Sequence, residues 1–296
     1  MKEKKQSFGT KIIPYLFVLP SLLIVFVFTI IAALNTFRLA FTDSTLLVPG
    51  HFIGFDNFVE ISHDEYFWTA LLNSTLYVVC VVPFMIILPL ILANLVRGDS
   101  KIMGFFRTSF YTPVVMSAVV VGMIWTNLLD SKGLINSLFE ALHLIREPIP
   151  FLTDRWMTLF SAMFVTIWLG LGYYMVIYLT ALANIDDSLY EAASIDGAGP
   201  IRQFLYVTIP GVRPTMVLIM MLSTIAAFRV FSEVYVLTNG TGGPGGEDIT
   251  MAMLIQQEGT GIEAHTGYAS ALSLIVLLVV GAMLIIQQVI QARGRQ

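Results

Sequence analysis

Glu191-Ala-Ala-Ser-Ile-Asp-Gly-Ala-Gly-Pro200 is a polar, glycine-hinged stretch between two long apolar runs, 156–183 and 214–237. A bilayer core of about 30 Å is crossed by a helix of about 20 mostly apolar residues. Each flanking run is therefore long enough to span, and the stretch between them is a loop. Further runs of spanning length lie at 12–37, 68–95, 108–129 and 267–291. The chain is 56% hydrophobic and 12% charged, with a mean hydropathy of +0.80. Soluble domains have about a quarter of their residues charged, and the deficit here fits a lipid environment, where charges are costly. The reading is an all-α polytopic membrane protein with six transmembrane helices.

Lys and Arg set the expected orientation, because they gather on the cytoplasmic side. With the N-terminus inside, the inner side holds Lys2, Lys4, Lys5, Lys11, Arg97, Lys101, Arg107, Arg202, Arg213, Arg293 and Arg295. The outer side holds Arg38, Lys132, Arg146 and Arg155, and Arg229 falls within a span. Both termini and the loop 184–213 are then cytoplasmic. The division is a tail at 1–11, a six-helix transmembrane domain at 12–291 containing that loop, and a tail at 292–296. The basic start followed by Ile12–Leu34 reads as an uncleaved first helix, since the run exceeds the apolar core of a signal peptide.

The loop itself reads as two short helices joined at a hinge. Ser188-Leu-Tyr-Glu191 fits a capping box, with Ser188 as N-cap and Glu191 reaching back. Asp186 and Asp187 place negative charge near that N-terminus. Gly197 suits a left-handed C-terminal cap, and Gly199-Pro200 suits the start of a second helix. A helix of about two turns is marginal alone in water and needs a surface to pack on.

Several chemistries are disfavoured. Cys80 is the sole cysteine, so no internal disulfide or cysteine metal cluster is available. His51, His63, His143 and His265 are far apart and lack metal-ligand spacing. No Ser/His/Asp constellation points to an enzyme, and no basic patch points to nucleic acid. The run Gly240–Gly245 formally matches a dinucleotide fingerprint but follows no strand of a βαβ unit, and reads as a flexible outer turn. There is no phosphate-binding Gly-x-x-x-x-Gly-Lys-Ser/Thr loop, so ATP hydrolysis is not expected of this chain alone.

Glu191-Ala-Ala, Asp196-Gly-Ala198, Phe204 and Pro210 resemble the EAA loop of ABC importer permeases. Pro14–Pro20, Phe52-Ile-Gly-Phe-Asp-Asn-Phe58, Phe67-Trp68, Leu72-Asn73, Leu237-Thr-Asn-Gly240, Gly243-Pro244 and Gly267-Tyr-Ala-Ser-Ala271 are similar to the carbohydrate branch, of the maltose and glycerol-phosphate type. The resemblance covers nearly the whole chain. It implies the ABC type I importer permease fold in a prokaryotic inner membrane. The implied partners are a second permease, two ABC ATPase subunits and an extracytoplasmic solute-binding protein. No cofactor is expected in this chain; ATP and Mg would be held by the ATPase. Tyr190, Glu191, Ala192, Ala193, Asp196, Gly197 and Ala198 would couple the chain to the ATPase.

For the solute, Trp168-Leu-Gly170 and Tyr173 resemble a Trp-Leu-Gly-x-x-Tyr stretch that contributes to the sugar site of the maltose importer's larger permease. Ser117 and Ser223 fall at or near further sugar-contact positions of that relative. Ala227 and Val230 stand where that relative has an Asn pair, so maltose itself does not fit. Arg229 and Glu233, four apart in the fifth span, are expected to share a helix face, as a structural ion pair or as a pore-facing pair. The alternatives are an importer for a non-sugar polar solute and an ion-coupled secondary transporter.

Overall fold

The computed structural model describes residues 8–261 and 264–293. The cluster Lys2, Lys4 and Lys5 and the terminal Arg295 lie outside the described residues. The chain divides into two compact units, one formed by residues up to His63 with Ile255–Leu277, the other by Asp64–Leu254 with the C-terminal residues from Leu278.

In the first unit, α1 (Phe8–Val25) and α2 (Ala32–Leu39) are joined by a π-helical turn, Phe26–Ile31. The chain then reverses through an isolated antiparallel bridge between Thr42 and Phe52 and enters α3 (Asp56–His63). Asn57 holds this reversal, donating its amide to the carbonyls of Ala40 (2.9 Å) and Thr42 (3.0 Å). Phe41 packs against Phe37, Phe55 and Phe58. The Ser44 carbonyl accepts from the Thr266 hydroxyl and the Gly267 amide, which seat the start of α15 (Thr266–Arg293). A Cβ on Gly267 would strike the Thr42 carbonyl, so only glycine permits this approach.

The second unit is built on α4 (Glu65–Leu95) and α8 (Arg155–Leu182), which pack along one another, with α12 (Arg213–Phe228) against α4. Tyr77, Val81 and Met85 of α4 are buried, as are Leu159, Val165, Met175 and Tyr178 of α8 and Ile219 and Phe228 of α12. The buried tyrosine hydroxyls of this core are bonded. The Tyr77 and Thr166 hydroxyls lie 2.6 Å apart, and Tyr178 Oη donates to the Ile86 carbonyl at 3.0 Å. That carbonyl lies in the turn that Pro89 disturbs by lacking an N–H.

Two expected spans are interrupted. The run 108–129 comprises the end of α5 (Lys101–Tyr111), a 3-10 turn at Thr112–Val115 and α6 (Ala118–Leu129), followed by α7 (Leu134–Ala141). Pro113 and the extended backbone of Met116 and Ser117 account for the break. The run 214–237 stops at Phe228, and α13 (Ser232–Leu237) resumes after Phe231. Arg229 and Glu233 therefore do not share a continuous helix face, and no ion pair joins them among the described residues. No proline or glycine marks this break. The Val230 carbonyl freed by it accepts from the buried Thr250 hydroxyl at 2.9 Å.

Phe17–Leu39, Glu65–Leu95, Ala118–Ala141, Arg155–Leu182 and Thr266–Ala292 are each long and apolar enough to span. Pro200–Gly211 and Arg213–Phe228 qualify together, bent by 71°. That bend falls at Val212, after a π-helical turn at Phe204–Thr208 and the short α11 (Ile209–Gly211). The remaining helix, α14 (Met251–Gly259), follows the glycine-rich loop.

Candidate functional site

The loop between α8 and α12 contains α9 (Asp187–Ile195) and α10 (Pro200–Gln203). Its N-cap is Asp186, whose carboxylate accepts from the Ser188 amide at 2.9 Å. The expected cap at Ser188 and the back-reach of Glu191 do not form. Asp186 takes the extended backbone of an N-cap two residues earlier, which draws Ser188 into the first turn. Hydrogen bonding from Ser188 holds the exposed Asp186 carboxyl below its ordinary pKa. Glu191 is exposed and makes no hydrogen bond or ion pair with the described residues.

The C-terminus of α9 is a Schellman closure. Gly197 sits at φ +76°, its amide donates to the Ser194 carbonyl (3.0 Å), and the Ala198 amide donates to the Ala193 carbonyl (2.9 Å). A Cβ on Gly197 would meet nothing within 4 Å, so backbone conformation rather than space selects glycine. Gly199 then caps α10, with Pro200 in its first turn. Gln203 folds back, donating to Ser194 Oγ (2.8 Å) and the Ala198 carbonyl (3.1 Å).

Further contacts fix α9 to its surroundings. Arg97 Nη2 meets Asp187 Oδ1 at 3.1 Å, the same guanidinium lies 4.4 Å from the centre of the Tyr190 ring, and Tyr190 Oη lies 3.0 Å from Thr208 Oγ1. The other surface of the loop is bare. Ile195 and Ile201 present 86% and 77% of their area, with Leu189 also exposed. Ala192 is exposed and Ala193 and Ala198 are half-exposed, all too small to block close approach. Arg97, Gln203 and Thr208 were not singled out by sequence; Arg97 registered only as one inner-side charge.

The solute-pathway candidates differ in their surroundings. Trp168 stacks edge-on against Trp125 and lines an apolar cavity of about 560 Å³ with Cys80, Phe84, Phe160 and Met163. Gly170 faces Met85, where a Cβ would displace the thioether. Tyr173 is exposed and packs edge-on against Tyr174. Ser117 is exposed at the start of α6. Ser223 is buried and donates to the Ile219 carbonyl of its own helix at 2.7 Å. Arg229 is exposed at the end of α12, beside Leu222, Ile225 and Ala226, and Glu233 is half-buried in the first turn of α13.

The glycine-rich loop is pinned rather than free. Asn73 donates to the carbonyls of Glu247 (2.7 Å) and Ile249 (2.9 Å), and Ser74 Oγ accepts from the Met251 amide (2.9 Å). Gly240, Gly242, Gly243, Gly245 and Gly246 all have positive φ, and the Asp248 carboxylate fills the space a Cβ on Gly243 would need.

Residues 67–296 match the family described as the binding-protein-dependent transport system inner membrane component. The chain belongs to that family. It is accordingly a multi-pass membrane permease of the ABC transporter class. It is 34% identical over 290 residues to the probable ABC transporter permease protein YurN of Bacillus subtilis (strain 168), covering 97% of this chain and 98% of that one. It is 34% identical over 275 residues to the lactose transport system permease protein LacF of Rhizobium radiobacter, covering 92% of each. The fold is that of a subunit of a bacterial ABC transporter involved in the import of the acidic polysaccharide alginate, with a TM-score of 0.84, 21% identity and coverage of 97% and 98%. A related structure holds that alginate transporter in complex with an alginate pentasaccharide-bound periplasmic protein.

Proposed function

We propose that this chain is a permease subunit of an ATP-driven importer for a carbohydrate delivered by a solute-binding protein, with both termini in the cytoplasm. The loop carrying Tyr190, Glu191, Ala192, Ala193, Asp196, Gly197 and Ala198 docks on a separate ATPase. The assembly holds a second permease and two ATPase subunits. Closure of the ATPase pair pushes on 187–199 and turns the spans from inward to outward access.

The observation that supports this most is the loop's two-sidedness. Its Schellman closure and its contacts to Arg97 and Thr208 hold it in place, while Glu191 makes no hydrogen bond or ion pair among the described residues and Ile195 and Ile201 are exposed. Exposed isoleucines beside small alanines are what a protein partner would cover. The names of the relatives, lactose and alginate systems among them, support a carbohydrate as solute. Exposed and without an ion pair among the described residues, Arg229 favours an acidic sugar within that class, because a guanidinium binds carboxylate or sulfonate through paired hydrogen bonds.

Mild-detergent purification of the tagged chain from its native membrane, followed by mass spectrometry, is expected to recover a second permease and an ATPase. In the purified assembly, Glu191→Lys and Gly197→Pro are expected to separate ATP hydrolysis from transport while the spans remain inserted. Wild-type transport in both variants would overturn the docking reading.

A further inference from the structure

Arg97 lies just past the end of α4, and its guanidinium touches α9 at two residues, Asp187 by an ion pair and Tyr190 through the ring face. Asp187 and Tyr190 are three residues apart and so lie on one face of α9. Arg97 is itself held from behind. Arg107 of α5 donates from Nε to the Val96 carbonyl at 2.8 Å and from Nη2 to the Gly98 carbonyl, so the turn on either side of Arg97 is tied to α5. Tyr190 is tied in turn to Thr208, in the π-helical turn that leads to α12.

An exposed ion pair contributes little to stability, and Asp187 is largely exposed. Two bonds of different kind from one planar cation do more for geometry than for stability, because they fix both its position and the tilt of α9. On the far side of the link, α4 contains Pro83 and Pro89, each of which removes an intrahelical hydrogen bond. Helix α4 can therefore bend where it packs on α8 and α12.

Resting on the ATPase-coupling reading, we propose that Arg97 is a positioning residue that links displacement of α9 to α4, so that a push on the loop moves a third span besides the two joined to it covalently. Without Arg97 the loop would still dock, but α4 would lag.

The test uses the full transporter in a Cys80→Ala background, with nitroxide labels on Ile91 of α4 and Val119 of α6, and ATP, Mg and vanadate as the probe. The label-to-label distance is expected to change on trapping in the otherwise unaltered protein. Arg97→Ala should lose most of that change while retaining ATP hydrolysis, and Arg97→Lys should recover part of it. An unaltered distance change in Arg97→Ala would overturn the proposal. Should that variant fail to assemble, Tyr190 decides. Tyr190→Phe keeps the ring face and should keep the change, Tyr190→Leu should lose it, and equal behaviour of the two would sink the link. Glu191→Lys in the same preparation separates the readings. A silent Arg97→Ala beside an uncoupled Glu191→Lys removes only the link to α4, whereas silence in both removes the docking itself.

Discussion

Asp248 is fully buried, and neither carboxylate oxygen has a hydrogen-bond partner among the described residues. Burial pushes its pKa up to about 7; Arg155 opposes the shift, and Glu247 and Asp154 add to it. In the unfolded chain a carboxyl of this kind titrates near 3.9. Between those values the folded loop holds a proton that the unfolded chain has released. The stabilisation from the neutral carboxyl is therefore complete below about pH 4 and is lost as pH rises through 7. Amide exchange across 239–250, corrected for its intrinsic pH dependence, should be faster at pH 8 than at pH 6. Asp248→Asn should abolish the difference, and a pH-independent wild type would refute the account. Little of this was legible in the sequence, because Asp248 is buried by segments distant along the chain, Asn73 and Arg155 among them. Gly197 was legible, since a polar stretch needing φ > 0 at a helix end has few solutions. The helix start was ambiguous because Asp186, Asp187 and Ser188 are all competent caps, and only the backbone at Asp186 decides among them.

Among the elements, α8 approaches its neighbours through two glycines of different consequence. A Cβ on Gly172 would meet the Phe110 carbonyl oxygen and lie 2.8 Å from the Tyr111 Cα, so backbone would have to move. A Cβ on Gly170 would clash with the end of the Met85 side chain, which can rotate away, and would meet Tyr174 at an ordinary 3.5 Å. Gly172→Ala should destabilise by about 1–3 kcal/mol, as overpacking does, and Gly170→Ala by clearly less. Thermal unfolding of the two variants in detergent compares them, and equal losses would contradict the distinction. The spans were readable because crossing a bilayer demands a minimum apolar length. The interruption at Thr112-Pro113 had its proline as a signal. The interruption at Arg229–Phe231 had none, since what stabilises it is a hydroxyl on Thr250, twenty residues further on.

Across the whole chain, family patterns quoted from separate stretches turn out to be pieces of common structures. Asn57 and Gly267 both secure the reversal after α2, and Asn73 pins the loop that follows Leu237. The solute candidates were less legible, because Ser117, Trp168 and Ser223 belong to α6, α8 and α12, and no local spacing fixes what each side chain faces. The bare Ile195 and Ile201 have a consequence for how the cell manages this protein. On the docking proposed above, a subunit made without its ATPase would display greasy side chains to water, where quality-control proteases would find them. Its abundance would then follow that of its partner, whatever its own rate of synthesis. In pulse-chase labelling, its half-life should shorten in cells lacking the ATPase and recover when both isoleucines become serine. An unchanged half-life would mean that the orphaned subunit goes unnoticed.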